Sequence, residues 1–195
     1  MRKMSRRRLL LALVAGSALI LTACGGGEDP ALTPPAGTEG GSTSFNDADV
    51  DFLQAMIPHH DEATQMAEMV SERTEREELR AFAQKIIADQ STEIDEMRSM
   101  LEAAGAEEAP AHDMENMDGQ MDASEMTALE QSGGQEFDLM FLDMMIRHHQ
   151  GAVDMAEQVI DEGENAQVAD LANRIIDAQQ AEIQQMEVWR EEWSA

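Results

Sequence analysis

Apolar residues follow a helical period in the middle of this chain. Over residues 52–70 they recur at alternating steps of four and three residues, which places them on one face of an α-helix. His59 lies on that face. The same period continues over residues 79–100, although the polar residues Gln90 and Glu93 interrupt its apolar face. The pattern predicts two amphipathic helices with polar groups inside the interface between them.

The helical pattern occurs twice. A shift of 89 positions lays residues 52–97 onto 141–186 without a gap, and identical residues coincide along both halves of the match. Two copies of a two-helix unit therefore follow one another as an internal repeat. We expect an all-α fold, an antiparallel four-helix bundle built from two duplicated helical hairpins at 46–103 and 135–193. Its helices are expected near residues 46–71, 75–103, 135–161 and 165–193.

Local signals mark the turns within each copy. Thr74 with Glu77 fits a capping box, and Asn165 is a good N-cap for the last helix. Pro58 removes one backbone donor from the first helix. Because Arg147 occupies the equivalent place in the second copy, we expect a kink at Pro58 rather than a break.

The first 23 residues have the layout of a secretory signal peptide. A basic run precedes an apolar stretch and then small residues. The sequence LTAC resembles the bacterial lipobox, in which Cys24 is lipidated and becomes the first mature residue; a plain signal peptide with an incidental cysteine is the alternative. Residues 24–45 are rich in Gly, Pro, Ser and Thr and predict a flexible tether. We therefore expect a lipoprotein on the outer face of the cell membrane, with its folded domain at 46–195.

Composition excludes some classes of partner and ligand. The chain has 40 Asp and Glu residues but only 13 Lys and Arg. Without residues 1–23 it keeps 8 basic and 40 acidic residues, a formal charge of −32 that repels nucleic acid. Cys24 is the sole cysteine. A metal site in the folded domain must therefore use His, Met, Asp or Glu side chains.

Four of the five histidines lie in two nearly identical stretches, MIPHHDEATQMAE from Met56 and MIRHHQGAVDMAE from Met145. In each stretch a methionine lies three residues before the first histidine and another lies seven residues after it. Once the first hairpin folds back, Met56, His59, Gln90 and Glu93 come to one depth in the bundle. Buried His and Glu side chains are destabilising unless they are paired or metal-bound. The layer is therefore either a metal site or a set of His–Glu pairs that fixes helix register.

The types of side chain favour a soft metal. Carboxylate-bridged di-iron bundles use Glu-x-x-His, but Met56 and Met145 occupy the place of that glutamate. Thioethers suit Cu(I), and imidazole accepts copper or zinc. Outside the cytoplasm, where thiols oxidise, copper is the soft metal for which Met and His replace cysteine. We expect copper as the bound metal, with another transition metal as the alternative.

The acidic segment 104–134 joins the two copies. We expect a mobile loop with a short helical turn near residues 127–130, and its side chains either capture a soft metal or reflect low complexity alone. The residues concerned are His112, Met114, Met117, Met121 and Met126. Elsewhere methionine commonly fills cores, which is what we expect of Met97, Met100, Met140 and Met186.

The doubled motif MIxHHxxA, followed by MA and later by QxxEIxxM, resembles the family known as domain of unknown function 305 (DUF305). The resemblance covers residues 45–193. It implies a ferritin-like four-helix bundle in a secreted or lipid-anchored protein. Some members, the CopM-like periplasmic proteins, bind copper and support copper tolerance. The positions that the resemblance implies as metal ligands are Met56, His59, His60, Met66, Glu93, Met145, His148, His149, Met155 and Glu182.

Three hypotheses remain for the function. The first is a lipid-anchored extracytoplasmic protein that sequesters copper or hands it on without catalysis. The second is a ferritin-like redox enzyme with iron or another metal. The third is a structural lipoprotein whose His and Glu side chains only set helix register. The expected partners are a metal ion and the membrane, through the N-terminal lipid; homodimerisation is left open, and nucleic acid is excluded.

Overall fold

Five α-helices make up the described part of the chain, with no β-strand among them. The structure, a computed structural model, describes residues 42–108 and 119–195. The four long helices begin and end within two residues of the predicted bounds, so the expected all-α, ferritin-like bundle of two helical hairpins is confirmed. The helices are α1 (Asp47–Arg73), α2 (Glu77–Ala104), α3 (Ala123–Gln131), α4 (Gly134–Glu162) and α5 (Ala166–Trp193).

The two hairpins meet along α1 and α4. Helix α1 packs on α2, α4 packs on α5, and α3 rests on α4. The N-terminal half of α1 shares an apolar cluster with the C-terminal half of α4, so these two helices run antiparallel.

The segment predicted to be a mobile loop contains a nine-residue helix, α3, rather than a single turn, and Leu129 of this helix is fully buried.

The helix ends follow the sequence signals in part. Helix α1 continues through Pro58 without a break. Asn165 is the N-cap of α5 and accepts two backbone N–H groups of its first turn. The capping box predicted at Thr74 is wrong, because the turn stays extended through Arg76 and α2 begins only after it. The hydroxyl of Thr74 instead accepts the N–H of Arg76.

Two apolar clusters fill the bundle, one toward each end. The α3-side cluster is formed by 63–70 of α1, 79–86 of α2, 137–145 of α4, 186–193 of α5, Met121 and Leu129. The distal cluster is formed by 52–57 of α1, 94–101 of α2, 152–159 of α4 and 168–175 of α5. On every long helix, polar residues occupy the positions between the segments that belong to the two clusters.

These polar residues form a layer across the middle of the bundle, here called the polar layer. All of them are buried except Glu93, whose side chain is 17% exposed. Four imidazoles, two amides and the Glu182 carboxylate are thereby held away from bulk water. The members are His59, His60, Gln90, Glu93, His148, His149, Gln179 and Glu182.

Two buried aspartates at equivalent positions tie the hairpins together at their tips. Asp49 Oδ2 accepts three backbone N–H groups, one at the start of α1 and two in the turn between α4 and α5, at 2.9 to 3.2 Å. Asp138 Oδ2, in α4, lies 3.1 Å from the Nε atom of Arg76 in the turn between α1 and α2. The first helix of each hairpin therefore holds the turn of the other hairpin, which fixes the register of the polar layer.

None of the helices in residues 42–108 and 119–195 is long and apolar enough to cross a lipid bilayer. The predicted signal peptide at 1–23, the predicted lipidation site Cys24 and most of the predicted tether lie outside the described residues, as do His112, Met114 and Met117.

Candidate metal site

Two buried histidines are each hydrogen-bonded to a glutamate of a neighbouring helix. His60 Nε2 lies 2.8 Å from Glu93 Oε2, and His149 Nε2 lies 2.9 Å from Glu182 Oε2. An ionised carboxylate only accepts hydrogen bonds, so each Nε2 carries the proton and donates it. In the neutral form of each ring, Nδ1 is then the unprotonated nitrogen and keeps its lone pair.

These Nδ1 atoms are buried and have no hydrogen-bond partner within the described ranges. The side-chain amides of Gln90 and Gln179, on the helices opposite, are in the same condition. Buried polar groups are nearly always hydrogen-bonded, and one left unpaired is destabilising by about 1–3 kcal/mol. Several such groups in one layer favour a site that binds a ligand over a self-contained polar core.

The other two histidines meet each other where α1 packs on α4. The rings of His59 and His148, at equivalent positions in the two hairpins, have centroids 3.8 Å apart and an interplanar angle of 37°. Burial lowers the pKa of His148 well below its ordinary value, and the neighbouring His149 and His60 lower it further. Burial also lowers the pKa of His149, although the bond to Glu182 opposes this effect. His148 and His149 are therefore neutral imidazoles, the form that binds metals.

In the first histidine pair, the partner of Glu93 is not the histidine that the sequence predicted. The sequence placed Glu93 at the depth of His59, but Glu93 bonds to His60. Successive residues lie about 100° apart around an α-helix. His60 therefore faces α2 while His59 faces α4, and both are fully buried.

The motif methionines lie in the apolar clusters on both sides of the polar layer. Met66 and Met145 are fully buried in the α3-side cluster, and Met56 is fully buried in the distal cluster. Met155 packs against the distal cluster and lines a groove of about 290 Å³ between α1 and α4. The methionines predicted to fill the core are buried in the clusters or pack against them: Met97, Met100, Met140 and Met186.

Glu182 has a second partner that the sequence did not reveal. Lys85 Nζ lies 2.8 Å from Glu182 Oε1. Burial alone would raise the pKa of Glu182, but the bonds from His149 and Lys85 lower it. The residue equivalent to Lys85 is Arg174, which pairs with Glu96 instead. The two His–Glu pairs therefore differ in their surroundings, although the repeat made them look alike.

Glu62 also adjoins the polar layer. Its Oε2 atom lies 3.2 Å from His148 Nε2 and accepts the backbone N–H of Met121 at 3.1 Å. Burial raises the pKa of Glu62, and the Met121 N–H opposes that shift. The one signal in the sequence is its place three residues after His59 on the same helix. Because the equivalent residue in the second copy is Gly151, Glu62 is not among the repeated residues from which the candidate ligands were chosen.

The donors of the layer fit a soft metal better than a hard one. Within the described parts of the chain, no three His, Cys, Asp or Glu side chains converge as a metal site. A tetrahedral zinc site or a carboxylate-bridged di-iron site needs such a group. Imidazole nitrogens and thioethers are the ligand types that suit Cu(I). Here the imidazoles lie in the polar layer and the thioethers in or against the apolar clusters on both sides of it. These donor types are therefore compatible with a soft metal such as Cu(I).

Acidification is expected to destabilise the metal-free protein below about pH 6.5, the ordinary pKa of histidine. Below this pH the unfolded chain protonates His148 and His149, whereas the folded protein, in which both pKa values are lowered, keeps them neutral. The stabilising contribution of the neutral rings is therefore fully present above about pH 6.5. It is lost as the pH falls toward the pKa values of the folded protein. Each proton taken up only on unfolding removes about 1.4 kcal/mol per pH unit. The raised pKa of Glu62 acts in the opposite direction at lower pH.

This pH dependence is measured as the change in Tm between about pH 7.5 and about pH 5.5 in the presence of a chelator. The variant His148→Gln, which lacks one of the titrating rings, should show a smaller fall than the unaltered chain. Equal falls in the two proteins would contradict the assignment of the effect to this histidine.

Comparison with known proteins gives one family and several solved structures. The profile of a family described as domain of unknown function (DUF305) matches residues 49–190. A DUF305 protein from Streptomyces coelicolor, predicted to be secreted, is 28% identical with a TM-score of 0.69, and the match covers 76% of this chain and 94% of that one. A DUF305 fragment from Deinococcus radiodurans is 30% identical with a TM-score of 0.69, over 76% of this chain and 99% of that one.

The solved structures also include CopM. In its Cu(I)-bound form CopM is 36% identical to this chain with a TM-score of 0.66, over 75% of this chain and 98% of that one. Further matching structures show CopM with Cu(II) and with Ag bound. A search of curated proteins gives no match.

Proposed function

This chain belongs to the DUF305 family, and from that premise we propose that it is an extracytoplasmic, lipid-anchored copper-binding protein. It holds copper in the polar layer and sequesters it or hands it on, without catalysis. The chemistry of the layer and the similarity to CopM, solved with Cu(I), Cu(II) and Ag bound, support the proposal.

The observation that carries the proposal is the state of two imidazoles. His60 and His149 each donate a hydrogen bond from Nε2 to a glutamate and keep a buried Nδ1 atom without a hydrogen-bond partner among the described residues. A histidine that binds a metal usually donates its other N–H to a carboxylate, which sets the tautomer and the ring orientation. In the proposed site the two Nδ1 atoms are the ligands, and Glu93 and Glu182 orient the rings.

In the proposed site, the other predicted ligands supply further donors to the metal. His59 and His148 complete the set of imidazoles at the contact between the hairpins. The methionines supply thioethers from the apolar clusters above and below, where exclusion of water favours a soft, weakly hydrated ion. These methionines are Met56, Met66, Met145 and Met155.

The proposed location follows from the N-terminal sequence. Residues 1–23 act as a signal peptide, Cys24 carries the lipid, and residues 24–45 tether the bundle at 46–195 to the membrane. The acidic surface attracts cations weakly and without selectivity. Selectivity for copper then depends on the buried layer.

A layer that only fixes helix register is the strongest competing function. The bonds of His60 to Glu93 and of His149 to Glu182 support it, because they need no metal. The unpaired amides of the layer favour a ligand instead. A ferritin-like redox enzyme with iron is disfavoured, because the chain lacks Glu-x-x-His in its histidine motifs.

Copper binding distinguishes these functions. The purified full chain, incubated with Cu(I) and desalted, is expected to retain about one or two copper ions per chain, because soft donors line the buried layer. Elemental analysis measures the bound metal, with parallel samples exposed to Fe(II) and Zn(II) for comparison. Retention of no metal, with an unchanged Tm, would favour the register-only layer. Retention of iron with peroxide-dependent turnover would favour the enzyme.

A further inference from the structure

A short part of the acidic segment 104–134 lies against the polar layer. Residues 119–131, here called the strap, run from Gly119 through helix α3. Gly119 has a φ of +82°, and a Cβ atom there would lie 2.7 Å from the carbonyl oxygen of Arg147 and 3.0 Å from that of His148. The strap therefore touches the backbone of α4 at the level of its histidine pair, and only glycine fits this contact.

Side chains of the strap and α4 fasten this contact. Met121 is 6% exposed, and its sulfur lies 2.9 Å from an Nη2 atom of Arg147. The same guanidinium nitrogen lies 2.6 Å from Glu125 Oε1, in the first turn of α3. Arg147 thus holds the strap from the α4 side, next to His148 in the chain.

Glu62 connects the strap to the polar layer from the α1 side. A single atom, Glu62 Oε2, lies 3.1 Å from the N–H nitrogen of Met121 and 3.2 Å from His148 Nε2. Two protein ligands of one metal ion, each at about 2.0–2.2 Å from it, lie roughly 3 Å apart. The oxygen has two lone pairs, so it can bind an ion beside His148 and still accept the Met121 N–H.

The two halves of the chain differ at this position. The residue equivalent to Glu62 is Gly151, and a Cβ atom at Gly119 would lie 3.1 Å from its Cα atom. Glycine in the second half therefore leaves room for the strap, and glutamate in the first half reaches toward it. The strap side of the layer has a carboxylate that the other side lacks.

We propose that Glu62 and His148 together bind a metal ion, a site within the polar layer that takes Cu(II), and that this ion fastens the strap through Met121. A carboxylate oxygen beside an imidazole is a harder donor set than imidazole with thioethers, so it favours Cu(II) over Cu(I). The inference rests on the proposed copper binding. It adds Glu62 as a ligand, Cu(II) as the oxidation state bound there, and the strap as a segment whose mobility changes when copper binds.

Hydrogen–deuterium exchange and electron paramagnetic resonance of the purified full chain test this site. Cu(II) is expected to slow amide exchange in the strap by about tenfold, within the usual range of coupling between sites. The variant Glu62→Gln keeps an oxygen that accepts the Met121 N–H but lacks the charge. It should lose the slowing, bind Cu(II) at least about tenfold more weakly and change the Cu(II) spectrum, while its Cu(I) affinity stays within about threefold.

The matched control is Glu68→Gln, an exposed glutamate of the same helix, which should behave like the unaltered chain. Unchanged Cu(II) affinity and spectrum in Glu62→Gln would overturn the proposal. If that variant does not fold, hydrogen–deuterium exchange of the unaltered chain still tests the proposal. Unchanged amide exchange in the strap after addition of Cu(II) would also overturn the proposal. A chain that binds neither copper ion defeats the proposed function, whereas copper binding without a response of Glu62 or the strap defeats this inference alone.

Discussion

Alanine at both His60 and His149 is expected to weaken Cu(I) binding by about a thousandfold or more. Losing even a group that only orients a metal ligand commonly costs 10- to 100-fold in affinity, and this variant removes two ligands outright. The Nδ1 atoms of these rings are the buried nitrogens whose orientation is set by Glu93 and Glu182. The measurement is competition for Cu(I) with a chromophoric chelator, accompanied by circular dichroism to verify that the helices persist.

A matched control is available in the one histidine that lies outside the two pairs. His112 lies in the acidic segment outside both motifs, and His112→Ala should leave the affinity for Cu(I) within about threefold of the original, since only ligands of the buried ion lower it strongly. Full affinity in a folded His60→Ala/His149→Ala protein would refute the assignment of these rings as ligands. A large loss in His112→Ala as well would point to general capture by the acidic segment.

Removal of the Asp49 side chain is expected to destabilise the protein by about 3 kcal/mol. The variant Asp49→Ala leaves three backbone N–H groups without their acceptor, one at the start of α1 and two in the turn between α4 and α5. Asp49 is 1% exposed, and of the three donors the N–H of Asn165, a buried residue, has the least access to water. In a protein of this size, 3 kcal/mol corresponds to a fall in Tm of roughly 6–12 °C.

Asp51→Ala serves as the control for this loss. Asp51 is exposed on the same helix, and its replacement should change stability by less than about 0.5 kcal/mol. Both proteins are compared by thermal and denaturant unfolding without metal. Similar stabilities for the two variants would mean that the turn between α4 and α5 does not depend on the Asp49 carboxylate.

The sequence was sufficient for the bundle because two signals agreed. The period of apolar residues marked each long helix, and the repeat showed that the helices occur in pairs that need each other to bury their apolar faces. Helix α3 was underestimated because its surroundings are acidic and poor in apolar residues. Its burial depends on a single leucine, Leu129, whose partners lie far away in the chain.

The residues of the buried polar layer were predicted from the sequence more fully than the contacts among them. Spacing along the helices located both histidine pairs and both glutamates. It could not decide which histidine of a pair faces which neighbour, because that depends on the rotation of α1 between α2 and α4. Spacing within one helix does not specify contacts between the hairpins, such as Glu62 with His148 and Lys85 with Glu182.

The contact of His59 with His148 joins equivalent positions of the two halves. A homodimer of single hairpins would bring the same pair of rings together at its symmetry axis. Such a dimer would have to present identical surroundings on both sides of that axis. Fusion into one polypeptide lifts this restriction, so Glu62 on one side can differ from Gly151 on the other.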